Sequence, residues 1–215
     1  MEQTLPQLVL GLDVDGVLAD YEAGFRLKVA QMLGVDASTI GRQTCWSLPD
    51  SNWPIRSEEH FAALHSAAVL SGMFRQLDPI DGASEGVWAL SNAGVRVRIV
   101  THRLGFHGTH GVAAQDTAVW LDRANIPYRD LVFVADKPSV DAHVFVDDAP
   151  HNIRALREAG AYTIVFDQLY NRDAPGPRAH SWDEVVALVR AYAEENGFAY
   201  NAQAPALERN VFSAA

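Results

Sequence analysis

The sequence predicts an α/β fold: a Rossmann-like parallel sheet flanked by helices, with a small helical cap inserted after the first strand. Three observations lead there. Short apolar runs bounded by turn residues recur along the chain, helical patterns separate most of them, and the connection after the first run is far too long for an ordinary crossover. A chain of 215 residues buries one full core and leaves enough for a small appended module.

The first strand is expected over 8–13, an apolar run that stops at Asp13. Further strands are expected over 95–100, 131–134, 143–146 and 162–166, each short and rich in branched or aromatic side chains. Between them, 83–92, 112–124 and 152–159 carry helical spacing, and Gly94 and Gly160 are placed to stop two of these helices. A last amphipathic stretch over 181–196 starts at Ser181, a good N-cap, and ends before Gly197. The long insertion holds helical patterns over 22–33 and 57–70, joined by a Trp-, Pro- and Ser-containing stretch over 45–54. It is expected to sit over the carboxyl ends of the strands. The chain thus divides into an α/β core of 1–18 and 84–197, a helical cap of 19–83 and a tail of 198–215. The tail has no clear period and reads as an arm packing on a second copy in a homodimer, or as a frayed end.

Composition narrows the partners. With 27 acidic against 17 basic residues the net charge is −10, which opposes binding to a polyanion such as duplex nucleic acid and leaves small or metal-bridged anions. Lys28 and Lys137 are the two lysines, so a lysine at a suggestive place carries weight. A single cysteine, Cys45, excludes an intrachain disulfide and reads as a small buried residue. The first residues show no basic n-region, and Asp13 and Asp15 interrupt the apolar run, so neither a signal peptide nor a membrane span is expected and a cytoplasmic location follows. No G-x-x-x-x-G-K-[ST], G-x-S-x-G or H-E-x-x-H occurs, which argues against a P-loop enzyme, a serine hydrolase and a zincin.

The chemistry lies in the carboxylates. Asp13-Val14-Asp15-Gly16-Val17 closes the first strand, and the turn at Gly16 lets the two carboxylates diverge and take different tasks. Asp147-Asp148 closes the strand that begins near His143. If both strands are central and parallel, four carboxylates meet at the sheet edge where open α/β sheets bind ligands. Two of them about 4 Å apart repel by roughly 4 kcal/mol at an effective dielectric near 20. A hard divalent cation resolves that repulsion, and oxygen ligands beside a phosphate suit Mg2+. The bland alternative, independent aspartates at turns and caps, fits single residues better than two pairs at equivalent strand ends. Thr101 ends another strand, where its hydroxyl and the backbone N–H groups that follow, starting at His102, suit phosphate oxygens. Lys137 lies ten residues before Asp147, near enough to return a positive charge to the same edge.

In their order, Asp13-Val14-Asp15-Gly16-Val17, Thr101, Lys137 and Asp147-Asp148 resemble the four motifs of the haloacid dehalogenase-like superfamily. DVDGVLADYEAGF from Asp13, DKPSVDAHVFVDDAP from Asp136 and the late Ser181-Trp182 are similar to the 5′(3′)-deoxyribonucleotidase family. The resemblance implies a phosphomonoesterase acting on a small phosphate ester, a nucleotide in the narrower family. Asp13 would be nucleophile and Asp15 acid and base. Asp13, the Asp15 carbonyl and Asp148 would hold Mg2+ with Asp147 in support, and Thr101, His102 and Lys137 would bind the phosphoryl group. Asp15 favours ester hydrolysis over dehalogenation, since dehalogenases of the superfamily lack that carboxylate.

Two departures stand out: the family tends to carry serine after the motif threonine where this chain has His102-Arg103, and Asn152 stands where a further acid is common. The first leaves open a sugar phosphate or specialised metabolite as substrate, and a non-catalytic binding protein on the same fold is the remaining alternative. His102, His107 and His110 match no helical or strand face and lie among glycines, which favours a loop touching substrate or solvent over a zinc site. Arg103 reads either as a binder of a second substrate anion or as an exposed arginine. Tyr21 corresponds to an aromatic of the family's base pocket, or is a core residue of the first cap helix. Trp46, Trp53, Phe61 and Phe74 stack on a base or pack the cap.

Overall fold

Alternation of side-chain direction builds the sheet. Along β1 (Val9–Leu12), Leu10 and Leu12 face one side and Gly11 the other. The same alternation runs through β2 (Arg96–Thr101), β4 (Val144–Asp147) and β5 (Tyr162–Phe166): Val97, Ile99, Val144, Val146 and Ile164 join the leucines, while Val100 and Phe145 face away. Gly11 is needed because a Cβ there would lie 2.6 Å from the Phe145 ring. With β3 (Asp130–Phe133) and β6 (Arg178–Ala179), the strands of the computed structural model form one all-parallel sheet in the order β3-β2-β1-β4-β5-β6; residues 5–201 are described.

One face is covered by α4 (Ala83–Asn92), α5 (His110–Arg123) and α7 (Trp182–Glu195), through Val87, Leu90, Trp120, Leu121, Val185 and Val189. On the other, α6 (Pro150–Glu158) presses Leu156 onto Val100 and Phe145. The insertion contributes α1 (Tyr21–Leu33), capped by the Asp20 carboxylate accepting from the Ala23 N–H at 3.0 Å, and α2 (Glu58–Leu70), capped by Ser57 accepting from the His60 N–H at 3.2 Å. A short α3 (Met73–Gln76) follows. Phe25 of α1 stacks on Trp53 at 5.9 Å and meets Phe61 of α2 edge-on at 5.8 Å. The insertion is tied to α5 by the Trp120 indole N–H donating to the Leu77 carbonyl at 2.8 Å and by the Arg75–Asp116 ion pair.

Differences from the sequence reading have local causes. α3 and β6 are too short to show a period. α6 starts at Pro150 rather than 152, because proline lacks the N–H that the first helical turn leaves unused. α5 starts at His110 rather than 112, which takes His110 out of the loop. Cys45 is half-buried, not buried, with its sulfur 3.4 Å from the Ser47 carbonyl oxygen. Of the tail, Phe198 packs on His143 and Tyr192, and Ala199 pairs with Gln7; its remainder from 202 onward lies outside the described residues. Among the described residues no helix is long and apolar enough to cross a membrane.

Candidate active site

Register brings Asp13 to the second acidic pair. Leu12 is level with Val146, and the Asp13 N–H donates to the Val146 carbonyl at 3.1 Å, so Asp13 emerges beside Asp147 at the carboxyl edge. Carboxylate oxygens of Asp13, Asp147 and Asp148 lie within 4.8 Å of one another, all three residues buried. Lys137, in a 3₁₀ turn over Lys137–Ser139, reaches back into this group, with Nζ 2.8 Å from Asp13 and 2.6 Å from Asp147. The Ala149 N–H donates to Asp147 at 3.0 Å and the Asn152 amide at 3.2 Å, so Asp147 is locked. The Tyr170 hydroxyl donates to Asp148, and the Asn171 amide holds the Asp148 carbonyl at 2.8 Å.

Gly16 makes the approach of Asp148 possible. Its φ of +79° suits glycine, and a Cβ there would lie 2.1 Å from an Asp148 oxygen. The turn is braced from far along the chain by Trp182, whose indole N–H donates to the Val17 carbonyl at 3.0 Å.

The electrostatics call for a cation. Burial is the largest cause that pushes the Asp13 carboxyl up to about 7; Asp147 and Asp15 add to it, and Lys137 opposes them. Asp148 is likewise held well above the carboxylate range by burial and then by Asp13 and Asp147, against Tyr170 and Lys137. Burial disfavours the Lys137 ammonium, but the charges of Asp13 and Asp147 outweigh it and hold the group above its ordinary value. A cluster of buried hard oxygens with more acid than base fits a metal ion, and among the described residues it is the one grouping of three such ligands that could hold one. His102, His107 and His110 form no such group: His107 and His110 lie 5.7 Å apart, and His102 stacks near His151 at 6.2 Å.

Asp15 goes elsewhere. Its two oxygens accept from Arg103 Nη2 at 2.6 Å and Nε at 2.9 Å, and it stands outside the carboxylate group. Burial of Arg103 to 4% exposure corrects its reading as an exposed arginine. Thr101 is buried at the end of β2, its hydroxyl accepting from the Arg103 N–H at 3.3 Å. His102 lines the site beside Lys137, and burial and that ammonium lower its pKa.

Above these residues opens a cavity of about 430 Å³. One wall is aromatic: Tyr21, Phe61, His65, Phe74 and Phe106, with His65 and Phe106 at 4.4 Å and Tyr21 stacked on Phe25 at 5.4 Å. Of the cap aromatics, Trp53 is a packing residue away from the cavity, whereas Trp46 is 47% exposed at its mouth, edge-on to His151 and Tyr170. His65, Phe106, Tyr170 and His151 escaped the sequence reading. Tyr170 had a signal, since the segment after β5 ends at the same sheet edge; His65 had one in its four-residue spacing from Phe61. Burial drives the His65 pKa down to about 4, with Arg103 adding and Asp15 opposing, so the ring is neutral near pH 7.

Solved structures share the architecture at low identity. A haloacid dehalogenase-like family hydrolase from Streptococcus pneumoniae matches with a TM-score of 0.55 at 16% identity, covering 85% of this chain and 98% of that one. A HAD family hydrolase from Deinococcus radiodurans, solved with bound phosphate and sodium, matches with 0.54 at 17% identity over 90% and 98%. Fold and motif order together place the chain in the haloacid dehalogenase-like fold class. Within that class the chain belongs to the family described as 5′ nucleotidase, deoxy (pyrimidine), cytosolic type C protein (NT5C), whose sequence model matches residues 7–194, and it is a phosphoric monoester hydrolase. A Chlorobaculum tepidum protein named "Putative 5′(3′)-deoxyribonucleotidase" is 36% identical over 186 residues, 86% of this chain and 91% of that protein. A protein of the same name from Bordetella pertussis is 28% identical over 189 residues, 84% and 96% of the two chains.

Proposed function

We propose that the chain is a Mg2+-dependent 5′-nucleotidase that hydrolyses nucleoside monophosphates, deoxyribonucleotides foremost, through an aspartyl-phosphate on Asp13. The observation that carries this reading is the meeting of Asp13, Asp148 and Lys137 at the floor of a cavity whose wall is aromatic, with Asp147 buried behind them. An aromatic wall suits a nucleobase better than a bare sugar phosphate. The name of the Chlorobaculum relative agrees with it.

In this reading an Asp13 carboxylate oxygen attacks phosphorus in line, the bond to the ester oxygen breaks, and Asp15 gives that oxygen its proton. Asp15, now a carboxylate, takes a proton from water as the water oxygen attacks phosphorus. The bond to Asp13 breaks, releasing inorganic phosphate and the free Asp13 carboxylate. Lys137, Thr101 and the backbone N–H of His102 bind phosphoryl oxygens. Asp13, Asp148 and the Asp15 carbonyl would hold the magnesium, with Asp147 orienting Lys137 and the shell; when bound, the ion neutralises developing phosphoryl charge. Tyr21 and its aromatic neighbours receive the base.

A panel of phosphate esters with Mg2+ tests the reading. Nucleoside 5′-monophosphates should exceed a generic aryl phosphate in kcat/KM; parity or the reverse order sinks the nucleotide assignment.

A further inference from the structure

Arg103 has no assigned task, yet its surroundings are those of a built feature. Its side chain is 1% exposed, so each donor needs a partner. Two donors span both oxygens of Asp15, and Nη1 donates to the Thr117 hydroxyl of α5 at 3.2 Å. The guanidinium plane lies 4.1 Å over the Phe74 ring of α3 and 5.8 Å from Trp120 of α5. Two helices thus fix the guanidinium, and its free edge fixes Asp15.

The direction matters. Asp13 and Asp15 are two residues apart on one turn, and an unrestrained Asp15 could swing into the buried carboxylate group and add a fourth oxygen donor there. The Arg103 fork holds it on the α3–α5 side of the cavity instead, beside Tyr21 and His65, whose pKa values both register its charge. In an in-line displacement the leaving oxygen departs on the side of phosphorus opposite the nucleophile, so a proton donor has to stand away from Asp13.

We propose that Arg103 is a positioning residue for Asp15: its two-point pairing keeps that carboxylate on the leaving-group side of the phosphoryl site and out of the metal-binding cluster. The inference rests on the acid–base assignment of Asp15 made above. A two-donor planar fork fixes both position and rotation of a carboxylate, whereas a lysine ammonium fixes position alone.

The test compares kcat/KM, which covers steps only through departure of the leaving group, for a deoxynucleoside 5′-monophosphate and for 4-nitrophenyl phosphate. The nucleotide's alkoxide needs a proton and nitrophenolate does not. Arg103→Gln should lower kcat/KM by about 10²-fold on the nucleotide and by less than about tenfold on the aryl ester, and Arg103→Lys should recover part of the nucleotide loss. Equal losses on both esters, or no loss in a folded variant, overturn the proposal. Should Arg103→Gln fail to fold, Thr117→Val frees one anchor of the guanidinium without touching Asp15 and should show the same selective loss, smaller; its absence also overturns it. Asp15→Asn separates the two readings. A nucleotide-selective loss there keeps the acid assignment whatever Arg103 does, and an equal loss on both esters removes that assignment and the Arg103 inference with it.

Discussion

The floor of the cavity and its aromatic wall are held by different forces. At the floor, Asp13, Lys137 and Asp148, with Asp147 buried behind them, are tied by short ion pairs and hydrogen bonds, and parallel register sets the place of the acidic pair. On the wall, Tyr21, Phe61, His65 and Phe106 meet through ring contacts of 4.4 to 6.0 Å, and the Nδ1 of His65 is buried without a partner. Directional bonds fix positions sharply, while ring packing tolerates exchange of one apolar group for another. The floor is therefore the rigid half of the site in a physical sense, and the wall the adjustable half; under the proposed function, chemistry belongs to the first and choice of ester to the second.

The sharpest way to break this division is Asp13→Asn. It should lower turnover at least about 10⁴-fold while the circular dichroism spectrum stays native; retention of more than a few per cent activity in deamidation-free protein refutes the nucleophile. Next in size is chelation. Removing divalent ions should abolish turnover and Mg2+ restore it, and Mg2+ should raise the melting temperature of the wild type but much less that of Asp148→Asn. An equal rise in both would place the ion elsewhere.

Proton linkage gives a third test of the floor. The Asp13 carboxyl is pushed up to about 7 in the folded protein, against about 3.9 unfolded, so the folded state binds the extra proton between those values. Its contribution to stability is present below pH of about 4 and is lost as pH rises through about 7. Metal-free wild type should therefore lose more stability than Asp13→Asn between pH 5 and pH 8 in thermal melts, and Mg2+ should flatten the difference. Parallel curves for the two proteins would remove the linkage.

The wall should respond differently. His65→Ala or Tyr21→Ala should raise KM for a nucleotide roughly tenfold with kcat nearly kept, and leave 4-nitrophenyl phosphate almost unaffected. A matching fall in kcat on both esters would make these rings part of the floor's machinery. The smallest effect is expected at Trp182→Phe, which removes the hydrogen bond to Val17 and should cost about 1 kcal/mol in urea unfolding.

The same division explains what could be read from the chain. Asp13 and Asp147 stand at strand ends, where an apolar run and its last polar residue mark both element and position; the parallel sheet and its flanking helices follow from the same pattern. Lys137 stood out by rarity. Arg103 was legible as a candidate anion binder but its pairing with Asp15 was not, because that depends on Phe74, Thr117 and Asp15, which come from three separate segments and meet only after folding. His65 and Phe106 lie 41 positions apart in the numbering and pair on the cavity wall, a relation that no local period records. Two-residue β6 and four-residue α3 are shorter than the windows in which periodicity shows.

The hydrogen bond from Trp182 to Val17 spans 165 positions, and Asp148 and Tyr170 also arrive late. During vectorial synthesis the Asp13 turn leaves the ribosome with neither its brace nor its acidic counterpart. Central β1 must wait for β4 as well. Nascent chains stopped before the last helix are thus expected to be hydrolytically silent, and competence should appear late and all at once. A truncation series scored for turnover would show a step near the carboxyl end rather than a gradual rise.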